Sequence, residues 1–323
     1  MYRHTEMREA HDLRNEYKYL VGWGAGKEEY FMHYNPAMYH LDYMIDINEA
    51  YHGKTICGVQ ISGKQILKEL KDQGKICVII YPNAEYEIIE QISEYLDDFD
   101  IIVSRLIESR GGYSGITFST SREDEIMYHA MEELGIHNPY YVDIGVCHPV
   151  IRNNTYLFYQ KGIRQGLLVE PNLNMCKLAE IYRPANKLVK AGACAGKDGV
   201  LKYYQHPVST YIGHNTFDYK AACQQGFENN YIEIPVQNIN KILEANCERE
   251  PDILDIDTEG MDFELLKALD TSRFPFKMIC TEVWADKNRD ELDRMLMNKG
   301  YVHFMDTLEN SIYILEKAQT LLK

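Results

Sequence analysis

YVDIGVCHPVIRNNTYLFYQKG, residues Tyr141 to Gly162, reads as a buried strand, a tight turn and a helix. The apolar run carries Asp143 and Gly145 at its end, and Cys147-His148-Pro149 stand where a glycine-rich loop would be expected. In an open parallel sheet, ligands bind beyond the carboxyl ends of the strands, near the point where strand order reverses. Asp143 and Gly145 fall at such an end, and the helix after Asn153 would aim its positive N-terminus at the same place. The stretch is therefore either a cofactor turn or a plain connection.

Downstream, strands are expected at 140–144, 167–170, 187–192, 252–256 and 277–283, with helices at about 153–161, 173–181, 237–245, 260–269 and 288–298. Strands alternating with helices predict βαβ units and a parallel sheet. YVHFMDTLENSIYILEK (301–317) instead reads as two strands and a turn, an antiparallel hairpin closing the sheet. Residues 196–232, rich in Tyr, His, Asn and Ser, interrupt the series, and so long an interruption points to function.

Upstream lies a second α/β pattern. Residues 1–17 form a polar helical lead-in. Residues 18–110 run through YKYLVGWGAGKEEYFMHY, YMIDI (43–47), a helix at 64–73, KICVIIY (75–81), a helix at 85–96 and DIIVSRLI (100–107). Residues 111–137 are read as linker and helix, the helix opening near Ser121 with Ser121-x-x-Asp124 resembling a capping box. Residues 138–323 form the second domain.

With 34 Lys and Arg against 49 Asp and Glu, the formal charge is −15, which disfavours nucleic acid and anionic membranes as partners. Apolar runs such as Ile76 to Tyr81 are too short to span a bilayer, and a cytoplasmic protein is expected. Eight cysteines occur singly, without zinc-type spacing, so reduced thiols are expected.

Acids mark the strand ends. GLLVEPN closes with Glu170, and a carboxylate there can accept both hydroxyls of an adenosine ribose. PDILDIDTEGMDFELLKAL (251–269) places Asp257, Glu259 and Asp262 around Gly260, and FKMICTEVWAD puts Glu282 in an apolar run near the same edge. Like charges so close repel unless cations, hydrogen bonds or water offset them. Asp257 and Glu282 could share a metal, a substrate hydroxyl or a cationic cofactor.

The order VDIG, HPxxxxNTYLFY, LVEPN, AGACAGKDG, LDIDTEGMDFELLKAL, CTEVW and NKGYVHFMDTLENSIYI resembles the FkbM-type S-adenosylmethionine-dependent methyltransferases over about residues 138–316. The resemblance implies a seven-stranded class I methyltransferase sheet, Rossmann-like and mostly parallel, with a reversed last strand. It implies cofactor contacts at Asp143, Gly145, Cys147, Asn154, Thr155, Glu170, Pro171, Asn172, Ala193, Cys194 and Asp257. Where the common family turn has Asn and a second Gly, this chain has Cys147 and Pro149; His148-Pro149 and Asn154-Thr155-Tyr156 match a His-Pro branch of the family.

The implied reaction is O-methylation of a sugar hydroxyl in capsule, lipopolysaccharide or related glycan biosynthesis, the acceptor being a sugar, glycan or nucleotide sugar. An alcohol nucleophile must lose its proton, so a base or a metal is expected. Asp257 or Glu259 is the expected base, with His148 the alternative; a divalent ion between Asp257 and Glu282 is open but not expected. Tyr203, His206 and His214 in the long interruption suit sugar binding and suit ordinary loop packing equally. In the first domain, Gly22-x-Gly24-x-Gly26 with Asp46 approaches a dinucleotide fingerprint without its spacing. That block resembles the small Rossmann-like domains of sugar-modifying enzymes, which bind a nucleotide or nucleotide sugar or serve as scaffold and oligomerisation module. An NAD-dependent oxidoreductase and a non-catalytic nucleotide-sugar-binding protein are the alternatives.

Overall fold

Strands buried on both faces need apolar residues throughout, and such runs build both halves of the chain. The computed structural model describes residues 2–4, 10–26, 41–56, 58–82, 84–103, 117–207, 214–283 and 289–319. The chain divides into two compact units, Met1–Ser114 and Gly115–Lys323.

In the first unit, β1 (Tyr2–His4), β2 (Tyr19–Trp23), β3 (Tyr43–Ile45), β4 (Thr55–Ile56), β5 (Val59–Ser62), β6 (Ile76–Ile80) and β7 (Phe99–Val103) form one sheet in the order β1-β7-β6-β2-β3-β5-β4. All its pairings are parallel except β4 with β5. Helices α1 (Ala10–Glu16), α2 (Ile66–Leu70) and α3 (Glu85–Ser93) accompany it. The expected helical lead-in is thus a strand followed by a helix, the strand adding an edge beside β7. The helix expected after Gly26 and the linker around 108–116 lie outside the described residues.

The second unit opens with α4 (Glu123–Glu133). The capping box does not form. Asp124 turns back to accept from the Phe118 amide at 2.6 Å and the Thr117 hydroxyl at 2.7 Å, while the Ser121 hydroxyl is buried without a partner. The main sheet follows: β8 (Tyr141–Ile144), α5 (Tyr156–Gln160), β9 (Gly166–Val169), α6 (Leu173–Tyr182), β10 (Lys187–Val189), and later β14 (Ile253–Ile256), α9 (Asp262–Ala268), β15 (Met278–Glu282), α10 (Arg289–Asn298), β16 (Tyr301–Asp306) and β17 (Asn310–Leu315). Its order is β10-β9-β8-β14-β15-β17-β16, parallel except at β17, which runs antiparallel to both β15 and β16. The Rossmann-like sheet with a reversed last strand is the one that forms.

Between β10 and β14 the chain leaves this sheet. β11 (Gly192–Cys194), β12 (Gly199–Tyr204) and β13 (Tyr231–Asn238) make a three-stranded sheet, order β11-β13-β12, with α7 (Tyr219–Gln225) in the excursion and α8 (Ile239–Asn246) after it. The single strand expected at 187–192 is therefore two strands in two sheets, and β13 was not foreseen.

Period-two alternation sorts the main sheet into two faces. Val142, Ile144, Leu254, Ile256, Ile279 and Tyr313 pack with Ile242 of α8, Leu265 of α9 and Leu296 of α10. Tyr141, Ile253, Met278, Cys280, Ile312 and Ile314 pack the other way, with Met127 and Met131 of α4 and Phe158 of α5. Burial of each such side chain stabilises by about 1.5–3 kcal/mol. The same parity sends Asp143, Asp255, Glu282 and Asn310 to the α4 side. Among the described residues no helix is long and apolar enough to cross a membrane.

Candidate functional site

Strand order reverses between β8 and β14, so the loops that leave these two strands face each other. They meet in backbone contact. Gly145 has φ +92°, and a Cβ there would stand 1.8 Å from the Asp257 carbonyl oxygen. The glycine's close approach is thus to the neighbouring loop, stitched by the Asp257 amide to Ile144 O at 3.0 Å, while the Gly145 amide donates to Val169 O of β9 on the other side, also at 3.0 Å.

Beyond Gly145 the turn is held by side chains. His148 Nδ1 accepts from the Val150 and Ile151 amides at 3.1 and 2.9 Å, which places the neutral ring's proton on Nε2 and commits Nδ1 to the loop. Asp143 is buried and accepts from the Thr155 hydroxyl at 2.5 Å and Asn153 Nδ2 at 3.1 Å. Arg183, after α6, is as fully buried; it lies 3.5 Å from Asp143 and donates to Asn153 Oδ1 and the Thr155 hydroxyl. Asn154 donates to Asp255 in the all-buried β14. Burial, then Asp143 and Asp257, drives the Asp255 carboxyl well above the usual carboxylate range.

Glu170 ties the first two loops together. One oxygen accepts from the Cys147 amide at 2.7 Å and the other from the Asn172 amide at 2.6 Å. Burial pushes this carboxyl up to about 8 against the pull of those amides. Pro171 carries the chain into Asn172, whose side chain caps α6 through the Asn174 and Met175 amides. Cys147 sits in the left-handed region at φ 48°, its thiol raised by burial and by Glu170. Ala193 and Cys194 lie in β11, buried, and pair with Gln237 and Asn238 of β13.

After β14 the chain turns sharply through Asp257-Thr258-Glu259-Gly260. Asp262, the first residue of α9, accepts from the Thr258 and Gly260 amides at 2.8 and 3.1 Å, organising the turn. Glu259 has φ 54°, a conformation that costs a non-glycine residue roughly 1–2 kcal/mol. Burial, then Asp262 and Asp143, raises Asp257 to about 8; burial, then Asp257 and Asp262, raises Glu259 to about 9. Glu282, at the end of β15, joins them: Asp257, Glu259 and Glu282 each present an oxygen within 4.8 Å of the others.

The excursion reaches this edge too. The Thr216 hydroxyl donates to the Glu259 carbonyl at 2.6 Å. Tyr203 is buried against Phe217, hydrogen-bonded to Asn215 and raised well above its ordinary range by burial, then by Glu170 and Cys147. His206 and His214 lie with ring centroids 6.1 Å apart, and burial lowers His214. The structure therefore gathers Cys147, Glu170, Tyr203, Asp257, Glu259 and Glu282 at one edge, with His148 and Asp143 engaged in shaping it.

In the first unit, both Asp46 oxygens accept backbone amides, from Ala25 at 2.7 Å and Asn48 at 2.8 Å. Gly22 leaves room for Met44 and Gly24 for Pro82, and Gly26 lies beside Tyr51. These contacts account for the glycine-rich stretch as packing around the end of β2.

Sequence reasoning missed Arg183, Asn153, Asp255 and Asn310. Asp255 had a signal, an acid inside the apolar ILDI. Arg183 had none, because its partner Asp143 is distant in sequence.

The family model described as the Methyltransferase FkbM domain matches residues 143–306, half of the 323-residue chain. No curated protein matches the sequence.

Proposed function

The chain belongs to the FkbM methyltransferase family, and on that premise we propose that it transfers the methyl group of S-adenosylmethionine to a sugar hydroxyl in capsule, lipopolysaccharide or related glycan biosynthesis. The observation that carries this reading is Glu170. Its carboxylate lies at the tip of the second strand of the sheet, both oxygens already oriented by amides of the first two loops. When ionised, each oxygen keeps a second acceptor position, the pair that a ribose diol requires. Asp143, Asn154 and Thr155 support the cofactor turn from behind, and Cys147, Pro171 and Asn172 border it; Ala193 and Cys194 close the adenine side.

When bound, S-adenosylmethionine supplies an electrophilic methyl group. The chain's contribution is alignment, which can supply roughly 7–11 kcal/mol, and management of one proton. Asp257 and Glu259 suit the second task, because carboxyls raised to about 8 and 9 hold and release a proton near neutrality. His148 is the poorer base, its Nδ1 being engaged by two amides. Tyr203, His206 and His214, all carried by the excursion, are the residues assigned to the acceptor.

Calorimetry with S-adenosylmethionine is the test. The wild type binds it and Glu170→Ala binds it at least about tenfold more weakly, the loss of charged hydrogen bonds worth about 1.5–3 kcal/mol. Asp257→Asn keeps the affinity within a few fold and loses turnover. Binding of NAD without S-adenosylmethionine overturns the proposal.

A further inference from the structure

We propose that Asp257, Glu259, Glu282 and Asn310 form a site for a hard divalent cation of the magnesium, manganese or calcium class. Three carboxylate oxygens lie within 4.8 Å of one another, the only such group of potential ligands among the described residues. Oxygens on opposite sides of one such cation are about 4–5 Å apart, given metal–oxygen distances of about 2.0–2.6 Å. An all-oxygen donor set suits these hard ions and not zinc or copper.

A group of acids alone is an ordinary solvated rim. What sets this one apart is Asn310. It is 5% exposed, its Nδ2 donates to Glu123 at 3.3 Å, and its Oδ1 has no hydrogen-bond partner. An unsatisfied buried acceptor is costly, so a native structure is expected to give it a partner. In the antiparallel pairing of β15 with β17, Asn310 stands directly opposite Glu282. Directly opposite side chains leave a sheet on the same side, with Cβ atoms about 4.5–5.5 Å apart. Asn310 shares that side with Ile312 and Ile314, as Glu282 does with Met278 and Cys280. The orphaned oxygen and the carboxylates therefore belong to one face at one edge, and an amide oxygen is an ordinary ligand for a hard cation.

The cation offsets the mutual repulsion of acids drawn from the ends of two parallel strands and from the turn between β14 and α9. With one oxygen of each carboxylate on the ion, the second stays available to accept a hydrogen bond from an acceptor hydroxyl. The existence of the site does not depend on the proton-handling role above.

The experiment titrates the full chain, stripped with a chelator, with Mn²⁺, following free Mn²⁺ by electron paramagnetic resonance and the melting temperature by scanning calorimetry. The wild type binds close to one equivalent and melts higher as Mn²⁺ is added. Glu282→Gln and Asn310→Leu, each folded by circular dichroism, bind at least about tenfold more weakly. Glu264→Gln, an exposed acid on α9, binds as the wild type does. Absence of wild-type binding, or equal weakening in Glu264→Gln, overturns the site. S-adenosylmethionine calorimetry in chelator, run alongside, separates the two proposals: cofactor binding without Mn²⁺ binding removes the cation site and leaves the methyltransferase reading intact.

Discussion

Adding one methyl group at Gly145 tests how the two central loops are held. The alanine Cβ of Gly145→Ala would lie 1.8 Å from the Asp257 carbonyl oxygen and 2.8 Å from its carbon. Carbon–oxygen contacts begin at about 3.3 Å, so the loops must part by about 1.5 Å. Two costs follow. Holding φ near +92° strains an L-residue by about 1–2 kcal/mol, and forcing apart a packed contact costs about 1–3 kcal/mol, giving about 2–5 kcal/mol in all. Urea denaturation reads this as a lower midpoint with unchanged slope. Because the displaced group is Asp257, methyl transfer is expected to fall by about 10²-fold, the usual consequence of a 1 Å misplacement at a reacting centre. Gly199→Ala is the control, since nothing lies within 4 Å of its Cβ position. A Gly145→Ala protein with wild-type midpoint and wild-type turnover would refute the argument that this backbone contact positions Asp257.

Other perturbations follow from the same geometry. Arg183→Met leaves Asp143 buried without its cation and is expected to lower stability by about 3–5 kcal/mol in urea; a loss under 1 kcal/mol would mean that the two asparagine and threonine bonds suffice. For pH, Glu170, Asp257 and Glu259 have native values of about 8, 8 and 9 against ordinary values near 4. Between about pH 4 and 9 the unfolded chain has released protons that the native chain retains, so stability of the ligand-free, chelated protein falls as pH rises through that window. A urea midpoint higher at pH 8.5 than at pH 5.5 would contradict these assignments. Thr216→Val removes the hydroxyl bond to Glu259 O, and raises KM for the acceptor more than it changes S-adenosylmethionine affinity; equal loss of both would place the excursion on the cofactor side.

How much of this was readable in advance depends on where the information sits. β8, β9, β14 and β15 are short apolar runs, because a central parallel strand is buried on both faces, and the acids that interrupt them mark the ligand edge. Asp143, Glu170, Asp257, Glu259 and Glu282 were all legible on that basis. The three-stranded sheet was not. β13, YIEIPVQN, contains Pro235, which argues against a strand, and its partner β12 is separated from it by residues 205–230, α7 among them, so no short hairpin signal announces the pair. Arg183 escaped because its role comes from a partner far away in the chain. Cys147 and Glu259 were named from the sequence, but their left-handed backbone was not legible, because neither residue type favours it. The glycine stretch after β2 shows that a pattern resembling a ligand fingerprint can also serve packing: Gly24 fits closely against Pro82 and Asp46 tethers the Ala25 amide.

β11 and β13 pair in parallel register, Gly192 with Val236, Ala193 with Gln237 and Cys194 with Asn238, and Asn238 Nδ2 donates to both Ala195 O and Gly196 O. The excursion thus starts and finishes at one zipped point, its ends joined whatever lies between. Chain-closure entropy grows only with the logarithm of length, about 0.6 kcal/mol for each doubling. The segment from β12 through α7 is in this sense an exchangeable cassette: replacing it should alter what the fold contacts far more than whether it folds, leaving the main sheet free to keep its chemistry while its clientele changes.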